Sequence, residues 1–216
     1  MVLYCRGAAL SPVRSCTGSL RPCKICWILH NAIMTHVSSR FHRQSIRLKG
    51  YDYAQPGAYF VTVVTYQREC LFGDVVNGEM VLNTFGNCVR DEWFRTSDLR
   101  SNIELYDEEM VVMPNHVHGI IWIIDSDQGR GAASLRPYQR SNVVPDSLGA
   151  IVRAFKSAVT YRINGMRDTR NAKVWQRNYY EHIIRDEEEL INICNYIDTN
   201  PLNWLEDQLY PLPSPG

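Results

Sequence analysis

His116 and His118 stand one residue apart in the run Met113-Pro114-Asn115-His116-Val117-His118-Gly119-Ile120-Ile121-Trp122. A strand repeats every two residues, so both imidazoles project from one face, roughly 7 Å apart at the backbone, while Val117 points to the other. Two rings so placed can share a metal ion. A second pair, Tyr196 and Asn200, lies in Tyr196-Ile197-Asp198-Thr199-Asn200-Pro201. Residues four apart on a helix stand one above the other, so a phenol and a carboxamide oxygen point the same way. Together these groups describe a divalent-metal site able to hold a phosphate oxygen beside a nucleophile. Tyrosine attacks poorly at its free pKa of about 10, and a Lewis acid that polarises the phosphodiester offsets much of that handicap. Tyr179 and Tyr180 are the rival nucleophiles, because adjacent residues of a strand send one ring to each face.

Phosphate needs a reason to arrive, and the charge distribution supplies it. The chain of 216 residues balances Lys+Arg 23 against Asp+Glu 23. Residues 1–50 nevertheless carry eight bases (Arg6, Arg14, Arg21, Lys24, Arg40, Arg43, Arg47, Lys49) and no acid, and residues 130–177 carry ten bases against Asp146 and Asp168. A local field of that sign attracts nucleic-acid backbones whatever the total. Arg153, Lys156, Arg162, Lys173 and Arg177 are the candidate DNA contacts within the second strip. There is no P-loop or dinucleotide fingerprint, so no nucleotide cofactor is called for.

The whole-chain numbers bound the rest. At 45% hydrophobic and 21% charged, the chain can bury one ordinary core. Seven cysteines, an odd number with no secretory pattern, argue for reduced thiols and a cytoplasmic protein, and no run approaches the roughly 18 to 20 apolar residues of a membrane span. Cys23 and Cys26 with His30 and His36 leave only three residues between the pairs, where a zinc finger needs about 12. Residues 1–44 read as a poorly ordered extension, with Met34 a candidate start, residues 45–205 as the catalytic domain, and 206–216 as a tail.

The elements that must position the two pairs follow from pattern. Residues 58–66 are β-branched and aromatic and read as a buried strand. Asn77-Gly78 marks a tight hairpin between 74–76 and 79–82. Helical spacing over 84–96 is followed by a strand at 103–112, a tight Pro114-Asn115 connection, and the histidine strand at 116–124. Residues 125–146 read as a long mobile loop, 147–163 as an amphipathic helix, and 174–184 as a fourth strand. Asp186 caps a last helix, with Glu189 at the capping-box position, and Pro201 stops it. The order β, hairpin, α, β, β, α, β, α predicts a ferredoxin-like α+β sandwich: a central antiparallel sheet, helices on one face, and an added C-terminal helix carrying the tyrosine.

Several separated motifs then occur in one order: residues 112–119 around the histidines, Phe155-Lys156-Ser157, residues 174–185, Asn195-Tyr196-Ile197 and Asn200-Pro201. In this the chain resembles, over about residues 45–204, the REP-associated tyrosine transposases, IS200-like members of the HUH (His-hydrophobe-His) superfamily. The resemblance implies cleavage and joining of single-stranded DNA. It makes His116 and His118 ligands of Mg or Mn, and Tyr196 the nucleophile that takes a 5′-phosphotyrosine link and releases a 3′-hydroxyl. Asn200 becomes the third ligand, where relatives often carry Gln. The implied substrates are single-stranded or hairpin DNA, REP-like imperfect palindromes, and the protein acts as a monomer or a homodimer with no membrane involved. Two other readings stand beside it. One is a domesticated hairpin-binding protein with little or no catalysis, the other a metal-dependent phosphoesterase that uses water.

Overall fold

In the computed structural model, which describes Leu48, residues 50–125, Val144 and residues 146–211, the first β-branched run forms strand β1 (Gly57–Val64). The expected extension at 1–44 and the Cys23/Cys26 group lie outside the described residues, as does the loop expected at 125–146 apart from Asp125, Val144 and Asp146. The described residues form one compact unit.

The hairpin β2 (Gly73–Val76) and β3 (Glu79–Leu82) turns at Asn77 and Gly78, with φ of 54° and 81°, the paired left-handed conformation that Asn-Gly accommodates. Helix α1 (Thr84–Asp98) begins at Asn83, whose side chain accepts from the backbone N–H groups of Phe85 and Gly86. Strands β4 (Ile103–Glu104), β5 (Met110–Met113) and β6 (His116–Ile123) follow, then α2 (Leu148–Met166), β7 (Tyr180–Ile184) and α3 (Glu187–Thr199). No helix among the described residues is long and apolar enough to cross a membrane.

β6 pairs antiparallel with β1 along its whole length, from Gly57 opposite Ile123 to Val64 opposite His116. Its other edge is therefore left to β4 and β5, which pair with its two ends. β7 lies antiparallel against the far side of β1. The resulting order, β4/β5, β6, β1, β7, is that of the ferredoxin-like sandwich the element order predicts.

Alternation assigns the faces. Tyr59, Val61 and Val63 of β1, with Val117, Ile121 and Ile123 of β6, join the main core beneath α1 and α2. Each helix presents a buried stripe to it, through Cys88, Val89 and Trp93 on α1 and Ile151, Val152, Phe155, Val159 and Ile163 on α2. The intervening residues Phe60, Thr62, His116, His118 and Ile120 are buried as well. They meet α3, whose Tyr196 ring packs edge-on to Phe60 at 6.2 Å. A sheet covered on both faces loses the alternation of polar and apolar residues, which is why β6 is buried at nearly every position. Gly119 is the one place on β6 where a side chain cannot be admitted. A Cβ there would lie 2.4 Å from Cζ2 of Trp93.

Three expectations are revised. The strand expected over 103–112 is broken by a 3-10 turn at Asp107–Glu109, where three consecutive carboxylates disfavour a paired strand. The strand expected over 174–184 is regular only from Tyr180; before it, Trp175 makes a single bridge to Thr65. In the capping of α3, Asp186 accepts from the Glu189 N–H, but Glu189 reaches back to the N–H of Arg185 and to His182, at 2.8 and 2.6 Å.

Candidate metal and nucleophile site

The two histidines face α3 from the middle of the sheet, 0% and 2% exposed, with ring centroids 4.4 Å apart. Asn115 sets the tautomer of His116. Its Nδ2 donates to the carbonyls of Arg68 and Leu209, at 3.1 and 2.7 Å. That fixes Oδ1 as the atom lying 2.8 Å from Nδ1 of His116. A carboxamide oxygen only accepts, so Nδ1 carries the proton and Nε2 presents a lone pair. That Nε2 is buried with no hydrogen-bond partner. Nδ1 of His118 lies 2.8 Å from the Thr62 hydroxyl, on the neighbouring position of β1. Its Nε2 faces the hydroxyl of Tyr196 at 3.2 Å.

Both rings are held neutral. Burial pushes His118 down to about 3. Burial also holds His116 well below the usual imidazole range, helped by His118 and by the Arg68 guanidinium and opposed by the nearby Asn200 amide. Neutral imidazoles are what a cation requires.

A third candidate ligand, an oxygen, comes from beyond the last helix. Pro201 ends α3, and the chain doubles back through the 3-10 turn Trp204–Glu206, whose Trp204 ring lies 6.0 Å from that of His116. The return brings Asp207 to the histidines, and ligand atoms of His116, His118 and Asp207 lie within 4.8 Å of one another. Asp207 accepts from the Leu209 N–H at 2.6 Å and from Nδ2 of Asn200 at 3.4 Å. Burial raises its pKa, and the Leu209 N–H, Asn200 and Arg68 pull it back. The Oδ1 of Asn200 is buried without a partner. Two orphaned acceptor atoms beside neutral imidazoles and a carboxylate fit a divalent cation. Residues 206–211, expected as tail, thus close the site. Asp207 escaped sequence reasoning because nothing periodic marks its segment.

The other expected residues separate into groups. Tyr180 shares the site face: it lies opposite Thr62 on β1, its ring 6.4 Å from Phe60, and burial, then Glu189, raises its pKa. Tyr179 packs against the main core instead. Arg153, Lys156, Lys173 and Arg177 line a groove of about 1550 Å³ between α2, residues 168–179 and Tyr51–Tyr53. Arg153 and Arg177 are exposed there. Lys173 sits over the Tyr66 ring at 4.8 Å. Lys156 is turned inward, donating to the carbonyls of Gln176, Arg177 and Asn178 at 2.6, 3.3 and 3.3 Å, and burial lowers it to about 8. Arg162 reaches the same groove but pairs with Glu92 and Asp91 of α1, at 2.9 and 3.3 Å.

No protein-family profile matches the chain. An uncharacterized protein of Haemophilus influenzae strain Rd is 43% identical over 174 residues, covering 78% of this chain and 93% of that one. A candidate REP-associated tyrosine transposase of the same organism is 26% identical over 155 residues, covering 70% and 73%. Among solved structures the chain is similar to a REP-associated tyrosine transposase bound to a REP hairpin, with TM-score 0.49, 20% identity, and 77% and 74% of the two chains covered. It is also similar to a candidate transposase from Deinococcus radiodurans R1, with TM-score 0.38, 18% identity, and 70% and 96% covered. The chain belongs to one family with the first relative, and the second relative together with the motifs identifies that family as the REP-associated tyrosine transposases.

Proposed function

We propose that this protein is a transposase-type DNA endonuclease and strand transferase, cutting single-stranded DNA beside a hairpin and rejoining it through Tyr196. The observation that carries the reading is the Tyr196 hydroxyl, 3.2 Å from Nε2 of a buried, neutral His118, at the mouth of a His-His-Asp cluster. A phenol, a cation site and a likeness to transposases converge on phosphoryl transfer. REP-like palindromes are the substrate class that the family suggests.

His116, His118 and Asp207 would hold Mg or Mn, with Asn200 either adding its free Oδ1 or orienting Asp207 through Nδ2. A bound divalent ion supplies Lewis acidity at a non-bridging phosphate oxygen. The chain's own residues do the rest. Asn115 and Thr62 fix the two rings from behind, and such outer contacts commonly change metal affinity by about 10- to 100-fold. Helix α3 delivers the Tyr196 oxygen to phosphorus. The Tyr196 O–P bond forms, the bond from phosphorus to the 3′-oxygen breaks, and the phenol proton ends, through solvent, on the released 3′-hydroxyl. The 5′-phosphotyrosine keeps the energy of the broken ester, so the reverse attack by a 3′-hydroxyl reseals DNA without a nucleotide.

The test uses the full chain, Mn, and a pool of 3′-labelled single-stranded DNA hairpins with randomised flanks. Wild type should retain label on the protein through denaturing electrophoresis, Tyr196→Phe should retain none, and Tyr180→Phe should behave as wild type. A persistent adduct in Tyr196→Phe, or its loss in Tyr180→Phe alone, overturns the assignment.

A further inference from the structure

Between β1 and β2 the chain does something its sequence gives no reason to expect. Gln67 and Arg68 take φ of 57° and 59° in succession. Neither is Gly, and residues in this conformation are strained and persist only where their surroundings hold them there. The surroundings do hold it. The Arg68 carbonyl accepts from Nδ2 of Asn115, the residue that orients His116, at 3.1 Å. The Arg68 Nη1 donates to the carbonyl of Gln208, next to Asp207, at 2.9 Å. The strained turn therefore ties Arg68 to the neighbours of two cation-site residues, through its carbonyl to Asn115 and through its guanidinium to Gln208.

Arg68 forms no ion pair among the described residues, and it is only half-buried. Two acids are close at hand, Glu69 beside it and Asp207 beside its acceptor, yet neither is taken up. Among the described residues one N–H group is used, on the Gln208 carbonyl, and the rest of the fork is left for an anion. The bond to Gln208 holds the guanidinium beside the residue that follows Asp207, and the Arg68 carbonyl meets the residue that precedes His116, so both ends of Arg68 border the same site. A permanent cation against a cation site is unfavourable by itself. It makes sense when an anion fills the space between.

We propose that Arg68 is a catalytic residue: it holds the non-bridging oxygens of the scissile phosphate and stabilises the charge that gathers on them during attack by Tyr196. This rests on the function proposed above. A guanidinium suits the task because its planar fork matches two phosphate oxygens and cannot lose its proton. The bonds made and broken are those already given, and Arg68 neither gains nor loses a proton.

The cleavage junction found with the hairpin pool is synthesised twice, once with the ordinary phosphate and once with an uncharged methylphosphonate. On phosphate, Arg68→Ala should slow adduct formation by about 10²- to 10³-fold, the usual loss for one preorganised donor, with Arg68→Lys intermediate. On methylphosphonate, which has less charge to neutralise, the gap between wild type and Arg68→Ala should close to within about tenfold. Mn binding, followed by electron paramagnetic resonance, should be unchanged or tighter in Arg68→Ala, because a repelling charge has gone. A residue that merely tethers Gln208 would instead weaken Mn binding and slow both linkages equally, and either result overturns the proposal. Full activity in Arg68→Ala removes this inference alone. Absence of any wild-type adduct removes the proposed function and this inference with it.

Discussion

Burial makes His116 and His118 useful and also makes them costly in acid. Unfolded, each imidazole titrates near 6.5, whereas His118 in the folded chain does so at about 3 and His116 is lowered in the same sense. Between those values the unfolded state binds more protons, so the stability present above about pH 6.5 drains away as pH falls toward 3. Without metal, moving from pH 6.5 to 5 should lower unfolding free energy by about 2 kcal/mol through His118 alone. Urea titrations at the two pH values measure this, and His118→Gln should flatten the dependence; equal stability in wild type at both would refute it. The histidines were legible because period two needs only two residues to show itself. Asp207 and Arg68 were not. One reaches the site through a reversal past a helix stop, the other through a left-handed turn with no glycine to announce it.

At the level of elements, the structure divides the basic strip into residues that hold the fold and residues that face solvent. Lys156 of α2 fastens three successive carbonyls of the segment leading into β7. Removing it strands those acceptors, at a cost of about 1–3 kcal/mol. Lys156→Ala should therefore lower Tm and speed amide exchange around 176–179. Arg153→Ala should leave Tm alone and reduce the salt dependence of DNA binding by about one counterion. Calorimetry and filter binding across a salt series separate the two; a Tm loss in Arg153→Ala would contradict the division. Composition showed the charge of this strip, but whether an ammonium meets a phosphate or a carbonyl is decided by tertiary packing. The same limit explains the strands. The run at 103–112 had the right residue types, yet Asp107–Glu109 interrupt it, and residues 174–179 carry aromatics that serve packing rather than a ladder.

At the largest scale, the described residues are built around a sheet buried on both sides, and the second covering is completed late in the chain. Leu209 supplies a carbonyl to Asn115, Asp207 a carboxylate to the histidines, and Tyr210 a ring 5.1 Å from Trp204. Ending the chain after Leu205 should leave the core beneath α1 and α2 folded while weakening Mn binding by tenfold or more. Circular dichroism with Mn titration reads both, and unaltered Mn affinity would show that Asp207 is no ligand. The fold class was legible as an order of elements, because the hydrophobic periods and turn residues agreed locally with the final topology.

The adjacent tyrosines at the head of β7 give the sheet the character of a partition. Tyr179 lines the basic groove on the side of α2, while Tyr180 stands on the side of Phe60 and Tyr196. If Tyr196 is the nucleophile as proposed, a nucleic acid engaging it and the groove together would have to make a detour round the outer edge of that strand. Duplex DNA, stiff over about 150 base pairs, resists so sharp a turn within a few nucleotides, whereas an unpaired strand does not. Under the proposed function the architecture would sort flexible DNA from rigid DNA before any base is read.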